Sequence, residues 1–268
     1  MLSFRRIIAS LEAEGYANGP AQAKLAHDVI LKALETCGFG KNVTVKGGVV
    51  MSTITGDIRR ATMDMDIDFV NYSLSNVKID ALVKKLNCIE GVSITRQGAI
   101  VELRQQHYRG KRIFLRISDA EKVTVVTKID IGVHTHAEML QRNLKFDIVL
   151  DMKGAKLPAN SKEQIFAEKL KSLLKFGVRS NRPKDAFDMY YLIDGINKTK
   201  FRAFVKLLVF DDMKMRERDF ASIAKRLERV LLSATYMRKL VGSKANWLQV
   251  DPQAVARRIL NFLWEMWG

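Results

Sequence analysis

The chain is short of cysteine, of acidic residues and of long apolar runs, and each shortage excludes something. Two cysteines, Cys37 and Cys88, make no disulfide framework and have no metal-ligand spacing. No apolar run approaches the roughly 18 residues that cross a bilayer. The N-terminal segment has two arginines, Arg5 and Arg6, but no signal-type apolar core or cleavage site. A protein of the reducing cytoplasm, with no membrane partner, is expected. There are only 29 Asp+Glu against 45 Lys+Arg, a net charge of +16. That excess favours a polyanionic partner such as nucleic acid or nucleotide, although it also raises solubility. It is uneven: residues 156–268 hold 23 basic and 12 acidic residues, so +11 of the charge lies there.

What is present is enough for a real core. At 268 residues and 47% apolar, the chain suits one large domain or two modest ones. No internal repeat or low-complexity tract is visible. Residues 20–37 have helical periodicity, ended by Gly38 and Gly40. Residues 43–45 read as a short strand, 49–55 as a brief helix and 75–88 as a helix. Strand patterns follow at 92–96, 100–103, 112–117, 122–131 and 146–150. From residue 162 onward only helical patterns remain, at 162–176, 184–196, 200–209, 215–234 and 252–267. Gly154, Pro158 and Asn160 suit a linker. The expected fold class is α+β, with a mixed-sheet half (residues 1–157) followed by a helical half (residues 158–268).

The most informative stretch is Lys46-Gly47-Gly48 followed by Arg60-Ala61-Thr62-Met63-Asp64-Met65-Asp66-Ile67-Asp68-Phe69. In a strand, side chains alternate, so Asp64, Asp66 and Asp68 share one face while Met65, Ile67 and Phe69 share the other. Aspartate is a poor strand former, and like charges on one face repel. Such a face is tolerated when something cationic sits there, and clustered carboxylate oxygens suit Mg²⁺ or Mn²⁺. A two-glycine turn can bring backbone N–H groups close to a phosphate. Together these are equipment for metal-assisted nucleotidyl transfer. An exposed acidic edge strand is the plainer alternative, and the apolar set on the other face argues against it.

Three further elements matter. In 122–131 the residues Val126, Lys128 and Asp130 share a face opposite Val125, Thr127, Ile129 and Ile131. Asp130 would be a solvated strand residue by itself, but beside the acidic strand it becomes a third candidate metal ligand. Lys128 could meet a phosphate or balance Asp130. Lys169, in Ala167-Glu168-Lys169-Leu170, lies off the apolar stripe of its helix, as a solvated lysine would. In Arg182-Pro183-Lys184-Asp185-Ala186-Phe187-Asp188, Pro183 suits a helix start and Asp185 the first turn, with Asp188 one turn on. Capping and surface pairing would explain those two carboxylates equally well.

Taken together, these elements resemble the AbiEii/AbiGii-type nucleotidyltransferases, the toxins of type IV toxin–antitoxin systems and phage-abortive-infection loci. The resemblance covers roughly residues 44–191. The first motif reads Gly47-Gly48, then Arg60, Thr62, Asp64 and Asp66; the second reads Lys128-Ile129-Asp130-Ile131-Gly132. The third is Ala167 to Leu170, and the fourth is Arg182, Lys184, Asp185 and Asp188. The resemblance implies a polymerase-β-like nucleotidyltransferase domain with a mixed sheet, joined to a C-terminal helical bundle. It implies that Asp64 and Asp66 hold the metals and that Asp130 completes the site and helps deprotonate the acceptor hydroxyl. Gly47 and Gly48 would hold the triphosphate, with Thr62, Lys128 and Arg182 as further nucleotide contacts. Lys169 and Asp185 would reach towards the nucleotide across a cleft between the halves. Asp68 lies outside the family's pair and ranks below it. Where many members follow the third Asp with a Gly-Asp-x-x-Thr-Pro type loop, this chain has Gly132-Val133-His134-Thr135-His136. The roles of His134 and His136 stay open.

The expected activity is transfer of a nucleotidyl group from an NTP to an RNA acceptor, such as the 3′ end of a tRNA, by a toxin with a cognate antitoxin. Transfer to a protein hydroxyl or a small molecule is the enzymatic alternative. A catalytically silent nucleotide-binding module is the non-enzymatic one, and Asp64, Asp66 and Asp130 together argue against it.

Overall fold

The computed structural model of the chain describes residues 2–103, 110–134, 141–242 and 244–267. The chain divides into two compact units, Met1–Asn160 and Ser161–Gly268.

The first unit opens with α1 (Phe4–Ala13) and α2 (Asn18–Thr36), then β1 (Val43–Lys46), α3 (Gly47–Thr55), β2 (Asp64–Phe69) and α4 (Asn76–Lys85). Five strands complete it: β3 (Ser93–Leu103), β4 (Gly110–Ser118), β5 (Thr124–Val133), β6 (Arg142–Ile148) and β7 (Asp151–Ala159). They form one mixed sheet in the order β3-β4-β5-β2-β1-β7-β6. β2 runs parallel to β5, and β1 parallel to β7, while the other pairs are antiparallel. The apolar alternation explains the burial. Met65, Ile67 and Phe69 of β2 are buried, as are Val125, Ile129 and Ile131 of β5. The broad apolar face of α2, including Leu25, Val29, Ala33 and Leu34, is buried too. Phe69 packs edge-on with Phe39 and Tyr72 at centroid distances of 5.8 and 5.2 Å, a ring cluster at the end of β2.

Three expectations are corrected here. The segment read as a linker around Gly154 and Pro158 is β7, which joins β1 to the sheet edge. Gly154 has φ +74°, and a Cβ there would lie 2.6 Å from the Phe146 carbonyl oxygen. It marks a bulge, where the β6–β7 register shifts between Phe146 and Ile148. The segments 92–96 and 100–103 are one strand, β3, broken by an irregularity between Gln97 and Val101. Gly47 and Gly48 are not a separate turn: they are the first two residues of α3, Gly47 with φ +65°.

The second unit holds α5 (Lys162–Phe176), α6 (Lys184–Leu192), α7 (Lys198–Val205), α8 (Phe220–Leu231), α9 (Ala234–Val241) and α10 (Pro252–Glu265). Sequence chemistry sets the helix starts. The side chains of Ser161, Asp219 and Asp251 accept from backbone N–H groups in the first turns of α5, α8 and α10, and Pro252 opens α10. The core is aromatic. Phe201 packs on Phe166 at 4.9 Å and on Phe262 at 5.4 Å between ring centroids. Among the described residues no helix is long and apolar enough to cross a membrane.

Candidate active site

β2 turns its carboxylates to the face opposite its buried apolar set. Along it exposure falls from Asp64, exposed, through Asp66 to Asp68, buried. The register then assembles a row that no local segment contains. Lys46 of β1 is opposite Asp66 of β2, Asp66 is opposite Asp130 of β5, and Asp130 is opposite Arg112 of β4. Paired residues of adjacent strands project to the same face, so the row reads cation, carboxylate, carboxylate, cation. One step along, Asp64 is opposite Lys128.

Side-chain contacts follow this pattern. Arg112 forks onto Asp130, with Nε donating to Oδ1 at 2.7 Å and Nη2 to Oδ2 at 2.8 Å. Lys128 Nζ lies 2.9 Å from Asp64 Oδ1, and Lys46 Nζ lies 2.6 Å from Asp68 Oδ1. The hydrogen bonds to Asp130, together with the charges of Asp64 and Asp66, hold the Arg112 pKa above its usual value. Arg112 therefore feels all three carboxylates.

Two glycines let α3 approach this face. A Cβ on Gly47 would lie 2.5 Å from Asp66 Oδ2, and a Cβ on Gly48 would lie 2.5 Å from Thr62 Oγ1 and 2.8 Å from Thr62 Cβ. The first turn of α3 thus presses against Asp66 and Thr62. Helix starts carry N–H groups without intrahelical partners and suit anionic groups. Thr62 Oγ1 donates to the Asp64 carbonyl at 3.3 Å, which ties the approach to β2.

The donor chemistry here fits a hard divalent cation, since Asp64, Asp66 and Asp130 share one face on two adjacent strands. No ready cluster of three His, Cys, Asp or Glu side chains is formed among the described residues. Lys128 and Arg112 sit on two of the three carboxylates and would have to yield to a metal ion.

In the helical unit, α5 and α6 bring Lys169 and Asp185 together. Lys169 Nζ donates to Asp185 Oδ1 at 2.5 Å and lies 2.9 Å from Asp188 Oδ2. Asp188 is fully buried and also accepts from Trp247 Nε1 at 3.1 Å. Lys169 is therefore no solvated lysine, and Asp188 no surface cap. Arg182 is exposed just ahead of α6. His134 continues the β5 backbone, its N–H donating to the Phe69 carbonyl at 2.9 Å. His136 lies outside the described residues.

Sequence reasoning missed two side chains. Arg112 was one basic residue in a basic strand, and only the β4–β5 register gives it a carboxylate. Trp247 lies 59 positions from its partner Asp188 in the chain, with no local pattern to flag it.

The family model described as the nucleotidyl transferase AbiEii toxin of type IV toxin–antitoxin systems matches residues 29–244. The crystal structure of an antigenic nucleotidyltransferase-like protein from Paracoccidioides brasiliensis aligns with a TM-score of 0.42 and 15% identity, over 76% of this chain and 93% of that one. No curated protein matches the chain.

Proposed function

Since the chain belongs to the AbiEii family of nucleotidyl transferase toxins of type IV toxin–antitoxin systems, we propose that it transfers a nucleotidyl group from an NTP to an RNA acceptor, such as a tRNA 3′ end, with Mg²⁺ or Mn²⁺. Family membership already makes it a nucleotidyltransferase, with an NTP substrate and an antitoxin partner. The observation that best supports metal-assisted transfer is the row Lys46, Asp66, Asp130 and Arg112 beside the glycine start of α3; the RNA acceptor rests on the excess basic charge of residues 156–268.

The acceptor hydroxyl oxygen forms a bond to the α-phosphorus, and the bond from that phosphorus to the bridging oxygen breaks, releasing pyrophosphate. The N–H groups at Gly47 and Gly48 would bind the triphosphate, joined by the Thr62 hydroxyl once it gives up its bond to the Asp64 carbonyl. Asp64, Asp66 and Asp130 would hold the divalent cation, which supplies Lewis-acid neutralisation of the charge that develops on the phosphoryl oxygens. Lys128 releases Asp64 and turns to a phosphate. Asp130 takes the hydroxyl proton, which requires one of its oxygens to leave the Arg112 fork. Lys169, Asp185 and Arg182, from the third and fourth family motifs, contact the nucleotide. The basic surface of the second unit, with exposed Arg179, Arg182, Lys225 and Arg229, holds RNA phosphates.

The test is incubation with each NTP labelled at the α-phosphate, Mg²⁺ or Mn²⁺, and total cellular RNA or lysate. Label should enter RNA, and a chelator present from the start should prevent its incorporation. Label in a protein band, with none in RNA, would replace the RNA acceptor by a protein hydroxyl.

A further inference from the structure

The Lys169 site has a support that the family match does not reach. Trp247 lies beyond the matched residues 29–244. Its ring is buried and packs beside Tyr191, with 5.4 Å between ring centroids. Its turn is pinned twice by Asn246, whose Nδ2 donates to the Val250 carbonyl at 2.9 Å and whose Oδ1 accepts from the Val250 N–H at 3.3 Å. The indole N–H is thereby delivered to Asp188 Oδ1 at 3.1 Å, while Asp188 Oδ2 holds Lys169 Nζ at 2.9 Å.

The two carboxylates on Lys169 are not equivalent. Asp185 keeps 15% of its side-chain surface open and Asp188 none. Asp185 is thus the exchangeable partner, and Asp188 the fixed one. A buried carboxylate between an ammonium and an indole N–H has one orientation in which both oxygens are served. Remove the indole donor and a fully buried charged oxygen loses a partner. The carboxylate then turns to share Lys169 differently, and the ammonium moves with it. Buried ion pairs are weak sources of stability, and fixing one geometry is among their attested uses.

We propose that Trp247 is a positioning residue of the transferase, holding Lys169 in its working place through Asp188. This rests on the reading above that Lys169 contacts the nucleotide. The role is the one that outer-shell partners play for ligating side chains elsewhere: fixing an orientation without touching substrate.

Trp247→Phe keeps a six-membered aromatic ring against Tyr191 and removes the N–H together with the five-membered ring that carries it. Wild type, Trp247→Phe, Lys169→Ala and the double variant are compared in single-turnover transfer, with incubations long enough to quantify the Lys169→Ala residue of activity. Expected for Trp247→Phe is a rate lower by about tenfold, the scale of one hydrogen bond to a charged group. The NTP KM should stay within about twofold, since the triphosphate is held mainly elsewhere. The double variant should be no slower than Lys169→Ala. Without nucleotide, acylation of the Lys169 amine by a lysine reagent, read by peptide mass spectrometry, should accelerate in Trp247→Phe. Should Trp247→Phe not fold, Asn246→Ala loosens the same turn from the half-buried rim, and the same shifts are expected, smaller. Equal losses in both backgrounds, or unchanged Lys169 acylation, overturn the positioning role while leaving Lys169 in the mechanism. Full activity in Lys169→Ala overturns the reading of Lys169 itself, and this proposal with it.

Discussion

Gly47 is where the first unit's backbone and its proposed chemistry depend on the same missing atom, and Gly47→Ala tests both. Two costs are separable. Gly47 has φ +65°, a left-handed conformation that costs a residue with a Cβ about 1–2 kcal/mol. The new methyl would also sit 2.5 Å from Asp66 Oδ2 and 3.2 Å from its Cγ. Asp66 must leave its rotamer, at about 0.5–1.5 kcal/mol. Gly91 supplies the control, with φ +73° and nothing within 4 Å of its would-be Cβ. In urea unfolding, Gly91→Ala should lose only the conformational part, about 1–2 kcal/mol, and Gly47→Ala about 1 kcal/mol more. Activity should separate them far more. A displacement near 1 Å of a group that positions reactants can cost about 100-fold in rate. Gly47→Ala should fall by that order in labelled-NTP transfer, while Gly91→Ala stays near wild type. Gly48→Ala, with no positive φ but a clash on Thr62, should lose activity with little backbone strain. Transfer by Gly47→Ala at the Gly91→Ala rate would refute the claim that α3 starts against Asp66 for chemical reasons.

Other consequences follow from the same contacts. Arg112→Gln removes the cation that Asp130, Asp64 and Asp66 all face, so Mn²⁺ binding measured by calorimetry without nucleotide should tighten, by about tenfold for a partly exposed charge; weaker binding would mean that Arg112 orients Asp130 rather than competing for it. Burial of His27 lowers its pKa to about 4, and burial of Asp28 raises its pKa to about 6 against the pull of Lys24. The raised Asp28 pKa gives stability that is present below its unfolded value of 3.8 and lost as pH rises through 6. The lowered His27 pKa gives stability that is present above 6.5 and lost as pH falls towards 4. The two oppose each other, each by about 3 kcal/mol at 1.36 kcal/mol per unit. Measured against wild type, Asp28→Asn should gain stability from pH 4 to 7 and His27→Gln should gain it from pH 7 to 4; parallel curves would refute both assignments. RNA binding should weaken with a log–log salt slope of about −0.7 to −0.9 per phosphate, and charge reversal at Arg179, Arg182, Lys225 or Arg229 should flatten it. Arg226 is different, since it is bound to Glu217 at 2.8 Å and to the Leu174 carbonyl at 2.6 Å; its reversal should lower the melting temperature, and an unchanged one would contradict that structural role.

Much of the architecture was legible in local pattern, and the failures have physical causes. The alternation Asp64-Met65-Asp66-Ile67-Asp68-Phe69 states both faces of β2, and the same holds for Val125 to Asp130 in β5. Periodicity placed α5 and α10 closely because their buried stripes are long. Gly154 and Pro158 are turn residues by propensity and suit a linker; only the pairing of β7 with β1 and β6 overrides them. α1 was unseen because only Phe4 and Leu11 of its ten residues are buried. The row Lys46, Asp66, Asp130 and Arg112 spans four strands, so Arg112 joins it by register alone, whereas Lys46 adjoins the Gly47-Gly48 pair in sequence. By its helix position alone Lys169 is a solvated lysine, and its place between Asp185 and Asp188 comes from how α5 packs on α6.

The central claim is that the carboxylate face of β2 and β5 performs nucleotidyl transfer. Its most direct measurement is single-turnover transfer from an NTP labelled at the α-phosphate to RNA, comparing wild type with Asp64→Ala and Asp66→Ala. Asp64→Ala gives up a largely exposed pair with Lys128, which is worth little, and both substitutions lower the negative charge of the face, so melting temperatures without metal should hold. The account predicts folded variants that leave the RNA unlabelled. Full transfer by folded Asp66→Ala would contradict it.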